Sequence, residues 1–397
     1  MSDLKIFANS VEAEALRQCE EIMTTDAFKD AKVRIMPDVH VGKGCVIGFS
    51  ATDFKGIIPS VIGCDIGCGM TVAKLKNKII DFDKFDKIIN RVVPSGQEIH
   101  EKESDDLFLI GLIKTMRCYD QLKDISRILK SVGTLGSGNH FIEIDESKNG
   151  DQYLIIHSGS RNLGKQVEAI YTEIANRTVI DNFTDRKMEL IDCLKRLGLQ
   201  RAIQPVLKEM EKLKPKINSN TLYALPKDKE SDYLFDIIRA QSYAVENRRA
   251  IVQSIVEAAG LEIESSNEVM HNYIDFTDFN NPVVHKGSIS AKKGEFVIIP
   301  LNMRDGCIIG YGKGNDDWNQ SAPHGAGRSM SRSEANRVIN MDDFAKAMAG
   351  IYTSSVCETT KDEAPFAYKN SHEIIDLVSE TVEITEVIRP IYNFKAH

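Results

Sequence analysis

No stretch of this 397-residue chain is apolar for the roughly 20 residues that a membrane span requires. The first ten residues, MSDLKIFANS, also lack the apolar segment of an export signal. Basic charge is not in surplus. Fifty Lys and Arg against 58 Asp and Glu leave a net charge of −8, which argues against a broadly basic coat but not against a local basic groove. Internal repeats, low-complexity tracts and a linker long enough to separate domains are all missing. Eight cysteines are scattered without an export signal, so a reducing, cytoplasmic setting is expected, with thiols free or on a metal. Two nucleotide-handling signatures are absent: the G-x-x-x-x-G-K-[ST] phosphate loop and the Lys-x-Asp-Gly of lysine-dependent nucleotidyl transferases. If a covalent nucleotide forms on this chain, lysine in that motif does not carry it, and a histidine nitrogen is the remaining good candidate.

With 42% apolar and 27% charged residues, the composition is that of a globular protein whose core needs no disulfide. The first 75 or so residues hold short apolar runs broken by Gly and Pro (VRIMPDV, CVIGFS, IIPSVIGCDIGCG, MTVAKL), which predict buried strands and tight turns. Spacings of three and four from Asp105 to Lys130 predict a helix. HFIEID and QYLIIHSGSR read as strands, Gly164–Lys214 and Asp232–Ala259 as helices, and residues 215–232 between them as a loop. LEIESS, VMHNYIDF, EFVIIPLN and CIIGYG return to strand, and helices are expected around Met341–Met348 and Ser371–Ile388. The candidate motifs lie on both sides of the helical middle. The expected architecture is therefore α+β: one large domain, 1–397, with mixed sheets around a metal-centred cleft, a helical insertion at about 164–260 and C-terminal helices.

Four segments place metal-ligand residues in or beside glycine-rich turns: GCDIGCGM (Cys64, Asp65, Cys68), GTLGSGNHFIE (Asn139, His140, Glu143), IIHSGSR (His157) and VMHNY (His271). A thiolate, a carboxylate and imidazoles converging on one point make a transition-metal site. Each has a plainer reading. CDIGC lacks a second C-x-x-C and fits a buried turn with inert thiols, and His157 fits a satisfied core histidine. Of nine histidines, His40, His140, His157, His271 and His324 sit in turn-flanked or strand-end polar motifs, whereas His100, His372 and the terminal His397 carry no argument. MPDVHVGKG offers Asp38, His40 and Lys43 either as a structural turn or as a group that aligns a terminal hydroxyl or phosphate. SGSR and HGAGR add Arg161 and Arg328, whose flat forks grip phosphate, in turns whose amides can form anion nests.

Taken together, MPDVHVGKG, GCDIGCGM, GTLGSGNHFIEI, HSGSRNLG, HNY, HKGSISAKKGEFVIIP, HGAGRSMSR and AYK stand in the order found in the RtcB family of RNA-splicing ligases, which the chain resembles from about Ile35 to Lys395. The resemblance implies a manganese- and GTP-dependent ligase that joins an RNA 3′-phosphate or 2′,3′-cyclic phosphate to a 5′-hydroxyl. On that pattern Asp65, Cys68, His140, His157 and His271 hold two manganese ions, with Cys68 bridging, and His324 takes GMP through a phosphoramidate. Asn139 and Glu143 contact the guanylate, joined by Asn302, by Gly325, Ala326 and Gly327 of the histidine turn, by a stacking Tyr368 and by a guanine-contacting Lys395. Arg161 and Arg328 hold RNA phosphates, with Asp38, His40 and Lys43 on the same side. The expected partner is RNA with broken ends, in tRNA splicing or RNA repair. No membrane is involved, an accessory activating protein is a candidate partner, and a monomer is expected.

The chain departs from the family after Ile298–Pro300, where Leu301-Asn302-Met303-Arg304 replaces the usual Gly-Ser-Met-Gly and Cys307 stands near a later serine. Asn162 follows HSGSR in place of glycine, His285 replaces an arginine, and the end is Lys395-Ala396-His397 rather than Lys-Gly. These changes suggest a divergent paralogue. They leave open a binuclear hydrolase that opens cyclic phosphates without ligating, and a non-catalytic binder of RNA ends.

Overall fold

The strands Lys32–His40, Ile47–Thr52 and Gly69–Leu75 are buried along almost their whole length, as near-continuous apolar runs require. The computed structural model describes residues 3–218 and 221–396. Its largest sheet runs Phe296–Asn302, Gly306–Gly312, Val382–Phe394, Phe141–Glu146, Gln152–Ser158, Gly69–Leu75, Ile263–Met270, with Tyr352–Thr353 alongside Val382–Phe394. A second sheet orders Asp3–Ile6, Lys32–His40, Ile47–Thr52, Val283–Lys286 and Asn272–Asp275. Ser288–Ser290 pairs with Ser321–Pro323 as a separate ribbon. The fold is α+β. One face of the large sheet packs Ile142, Leu154 and Ile156 against Ile251 and Ile255 of the long helix Lys227–Ala259. Its other face buries Met70, Phe141 and Ile155 with Ile298 and Ile308.

The antiparallel registers matter most for function. Gly69 pairs with both Ser158 and Met270, and Phe141 with His157. Two strands therefore begin, and two end, at the same rim of the sheet.

Several expected elements differ. Asp105–Lys130 is not one helix but Leu107–Lys114 and Ile125–Lys130. Between them the amides of Arg117 and Cys118 leave the helical pattern to donate to the Asp236 carboxylate at 2.7 and 2.9 Å. Ser371–Ile388 is helical only to Val378 and then becomes the strand Val382–Phe394. Within IIPSVIGCDIGCG, Pro59–Ile62 is a single helical turn opened by the proline, which needs no amide there. The helical middle is Arg161–Arg196, Ile203–Lys212 and Lys227–Ala259, so the third helix starts inside the expected loop. Helices Ala13–Met23 and Phe82–Val92 had no sequence expectation. Residues 219 and 220 of the loop, and His397, lie outside the described residues.

Candidate active site

The shared rim gathers the first group of candidates. Cys68 immediately precedes Gly69–Leu75, His140 precedes Phe141–Glu146, His157 is the penultimate residue of Gln152–Ser158, and His271 interrupts the chain between Ile263–Met270 and Asn272–Asp275. Cys68 Sγ lies 3.4 Å from His140 Nε2 and 3.4 Å from His157 Nε2. His157 and His271 face each other through Nε2 at 3.0 Å, and Asp65 Oδ2 is 3.0 Å from His140 Nε2. Two ligand triads result, Asp65–Cys68–His140 and Cys68–His157–His271, with Cys68 common to both. Cys64 is exposed and stands apart from them.

The donor set fits cations. Burial, reinforced by the neighbouring imidazoles, holds His157 and His271 well below the ordinary histidine range, so both rings are neutral lone-pair donors. Among the described residues the buried Nδ1 of His157 has no hydrogen-bond partner. Two neutral rings meeting nitrogen to nitrogen at 3.0 Å either share one proton or share a cation. Burial pushes Asp65 up, but His140, Cys68 and Arg161 outweigh it and hold the carboxyl at about 2. Burial and then Asp65 push the Cys68 thiol up, a trend that a bound cation reverses. His140 is oriented from behind, its Nδ1 donating to Leu135 O at 2.8 Å. Gly159 is required here because a Cβ at that position would come within 2.1 Å of Asp65 Oδ1.

Asn247 and Arg248, adjacent on the long helix, hold these turns together, and sequence reasoning missed both. The Asn247 side chain accepts from Gly133 N at 2.8 Å and donates to Ser158 Oγ at 3.0 Å and to Gly159 O and Thr134 O, both at 3.2 Å. Arg248 is wholly buried and donates to Gly67 O at 2.9 Å, to Ser158 O at 2.7 Å and to Glu268. The loops carrying Cys68, His140 and His157 are thus tied to one helix. On the page of sequence these two residues look like solvated helix polarity.

Beside the cluster opens a cleft of about 450 Å³. His324 lines it, 4.7 Å centroid to centroid from His271. Asp38 Oδ2 accepts from His324 Nδ1 at 2.6 Å and from its backbone amide at 3.1 Å, which leaves Nε2 as the free nitrogen. Gly327, at φ +74°, lets the turn press on Asp38, where a Cβ would stand 2.3 Å from Asp38 O. This corrects the expectation for Asp38. It is fully buried and positions His324 rather than facing RNA.

Asn139, Glu143, Asn302, Gly325, Ala326, Gly327, Arg328, Tyr368, Lys395 and His40 also line the cleft. His40 bonds through Nδ1 to Asp38 O at 2.8 Å, and burial, against that bond, lowers it to about 4. Asn302 is tied into a turn of its own. Its Oδ1 accepts from the amides of Arg304 and Asp305 at 3.0 Å and its Nδ2 donates to Asp305 at 2.9 Å, so the side chain closes its own turn at the cleft wall and keeps one amide hydrogen outside these bonds. Arg328 lines the cleft with its guanidinium held by Asp362 O at 2.6 Å, by Met330 O at 3.2 Å and by Glu363 at 3.4 Å. Glu363, also missed from sequence, is the hub of that wall. It takes Lys395 and Arg332 at 2.8 Å each and the Tyr368 hydroxyl. Its only signal was an acid in DEAPFAYK, five residues before Tyr368.

Two expected phosphate holders lie elsewhere. Arg161 packs behind the cluster, 3.5 Å from His140 Nδ1 and 3.3 Å from Thr134 Oγ1. Lys43 is exposed on the loop before Ile47–Thr52, and its carbonyl accepts from Lys286 at 2.7 Å. Neither lines the cleft.

An α+β chain whose sheet rim collects a thiol, a carboxylate and three imidazoles beside a histidine-bearing cleft has the layout of an enzyme site, with groups that could hold a metal ion next to an open pocket. The profile described as tRNA-splicing ligase RtcB matches residues 18–116 and 110–396, and the chain belongs to the RtcB family. It is 27% identical to the RNA-splicing ligase RtcB of Escherichia coli (strain K12), over 98% of this chain and 96% of that protein. The tRNA-splicing ligase RtcB of Archaeoglobus fulgidus is 26% identical over 93% of this chain and 88% of its own length. The RNA-splicing ligase RtcB2 of Escherichia coli (strain ATCC 25922) is 22% identical over 91% and 86%. Among the described residues no helix is long and apolar enough to cross a membrane.

Proposed function

We propose that this chain is an RNA ligase that uses GTP and two divalent cations, manganese on the family pattern, to join an RNA 3′-phosphate or 2′,3′-cyclic phosphate to a 5′-hydroxyl. The observation that carries the reading is His324: held at Nδ1 by Asp38, it lines one cleft with Asn139, Glu143, Tyr368 and Lys395 and sits 4.7 Å from His271 of the cluster. A nucleophile, a base pocket and a cation site are then within the span of one nucleotide.

A 3′-phosphate is a poor electrophile, so it must first gain a leaving group. His324 Nε2 attacks the α-phosphorus of GTP, a P–N bond forms and pyrophosphate departs. The RNA 3′-phosphate oxygen takes the GMP from His324, giving a mixed anhydride. The 5′-hydroxyl then attacks the 3′-phosphorus, loses its proton and expels GMP. A cyclic end must be opened by water before the second step. Asp38 keeps the Nδ1 proton in place and offsets the positive charge that grows on the imidazole as it attacks. Cations held by Asp65, Cys68, His140, His157 and His271 would supply charge neutralisation at the phosphates.

The test is labelled GTP with manganese. The wild type should retain acid-labile label and His324→Ala should retain none. With a broken RNA stem-loop the wild type should give a joined strand. Recovery of 3′-phosphate ends alone would replace the ligase with the hydrolase. Repeating the labelling with ATP and dGTP tests the altered base pocket.

A further inference from the structure

A second set of ligand-type side chains lies under the floor of the cleft, separate from the Cys68 cluster. Glu143 and Asp145 stand two apart on Phe141–Glu146 and so project from one face of the strand. Cys307 reaches the same point from Gly306–Gly312, one strand beyond the intervening Val382–Phe394. One ligand atom from each lies within 4.8 Å of the others. Asp145 and Cys307 are 0% exposed and Glu143 is 3% exposed. Cys307 belongs to an apolar core with Phe141, Ile155, Leu301 and Ile388.

Asp145 is the observation that calls for an explanation. Among the described residues neither of its carboxylate oxygens has an N–H or O–H donor, and the one polar group turned toward it is the Cys307 thiol. Asn393 donates to Glu143, and its own buried Oδ1 is also unpartnered. A buried carboxylate faced by nothing stronger than a thiol is rare in folded proteins and is ordinarily neutralised by a proton or a cation. A thiol and two carboxyls around one point are the ligand types that hold a borderline divalent ion. Sulfur binds zinc at about 2.3 Å and oxygen at about 2.0–2.2 Å, which sets ligand atoms about 3.5 Å apart in a tetrahedral site, within reach of small side-chain rotations here. The thiolate favours zinc over magnesium or calcium.

We propose that Glu143, Asp145 and Cys307 form a cation site of their own, for a zinc-type ion, beneath the Glu143 end of the cleft. The ion takes three anionic donors and leaves a fourth position to water or to the Asn393 amide oxygen. It also fixes Glu143, which lines the cleft. The inference does not depend on the ligase reading.

The full-length chain loaded with Co²⁺ tests it, because a thiolate on cobalt gives a near-ultraviolet charge-transfer band. Cys68→Ala removes the thiolate of the first cluster. That variant should keep a band that titrates to one cobalt per chain, and Cys68→Ala/Cys307→Ala should lose it. Zinc content by mass spectrometry should fall by one ion per chain in Asp145→Asn, which preserves side-chain shape and serves if the cysteine variants fail to fold. No band in Cys68→Ala, a band that survives in the double variant, or unchanged zinc in Asp145→Asn would each overturn the site. Protons would then neutralise the two carboxyls.

Discussion

Asp38→Asn is the sharpest single perturbation of the proposed chemistry. Asp38 Oδ2 accepts two bonds from His324, at 2.6 Å to the ring and 3.1 Å to the backbone. Asparagine keeps the shape and one oxygen but removes the charge. A hydrogen bond to a charged group is worth about 1.5–3 kcal/mol net, against about 0.5–1.5 for a neutral one. The loss is about 1–1.5 kcal/mol per bond, about 2–3 over the two, and the half that belongs to the ring bond falls mainly on the step in which the imidazole becomes positive. At 1.36 kcal/mol per decade, transfer of GMP to His324 should slow by about 5- to 13-fold from the ring bond alone and by up to about 160-fold if the backbone bond also shifts the ring. If the amide nitrogen turns toward Nδ1 instead, the ring proton moves to Nε2 and the loss lies at the upper end. The assay is the single-turnover rate of label uptake from GTP, with KM for GTP expected to change little and the melting temperature measured alongside. A folded Asp38→Asn that labels within threefold of wild type would refute the assignment of Asp38 as the holder of His324.

Other outcomes follow from the same geometry. Arg248→Met should destabilise the fold by about 2–6 kcal/mol in urea, because Gly67 O and Ser158 O each lose a buried donor at about 1–3 kcal/mol apiece. Gly159→Ala should displace the Asp65 carboxylate, which a Cβ would meet at 2.1 Å, and lower bound manganese from two ions per chain to one without loss of the fold. Glu363 sets a pH dependence. Burial pushes its carboxyl up, but Lys395 and Arg332 outweigh it and lower the value from 4.5 to about 2. A lowered carboxyl stabilises the fold above its unfolded value, so this contribution is complete above about 4.5 and is lost as pH falls toward 2. The stability difference between wild type and Glu363→Gln should shrink across that window, and a constant difference would count against the hub.

How far the sequence could be read depends on the range of the interaction that fixes each residue. Cys68, His140, His157 and His271 were legible because each adjoins a turn at a strand end, and antiparallel pairing of neighbouring strands brings those ends to one rim. Asp38 was legible as polar chemistry but not as a holder of His324, since its partner lies 286 residues away and no local pattern encodes that distance. Asn247 and Arg248 were hidden for a related reason. They sit in a charge-rich helix, and only the packing of that helix against three turns converts its polarity into a buried clamp. The misread C-terminus has a local cause. Val382 and Ile384 alternate as a strand should, but the register against Gly306–Gly312 shifts between Ile384 and Glu386, and the bulge moves the next apolar pair to Val387 and Ile388. Spacing of three and four from Ile384 then mimics a helix. That bulged strand carries Asn393 to Glu143 and ends one residue before Lys395, so the segment whose period was hardest to read also delivers Lys395 to the cleft and Asn393 to a residue that lines it.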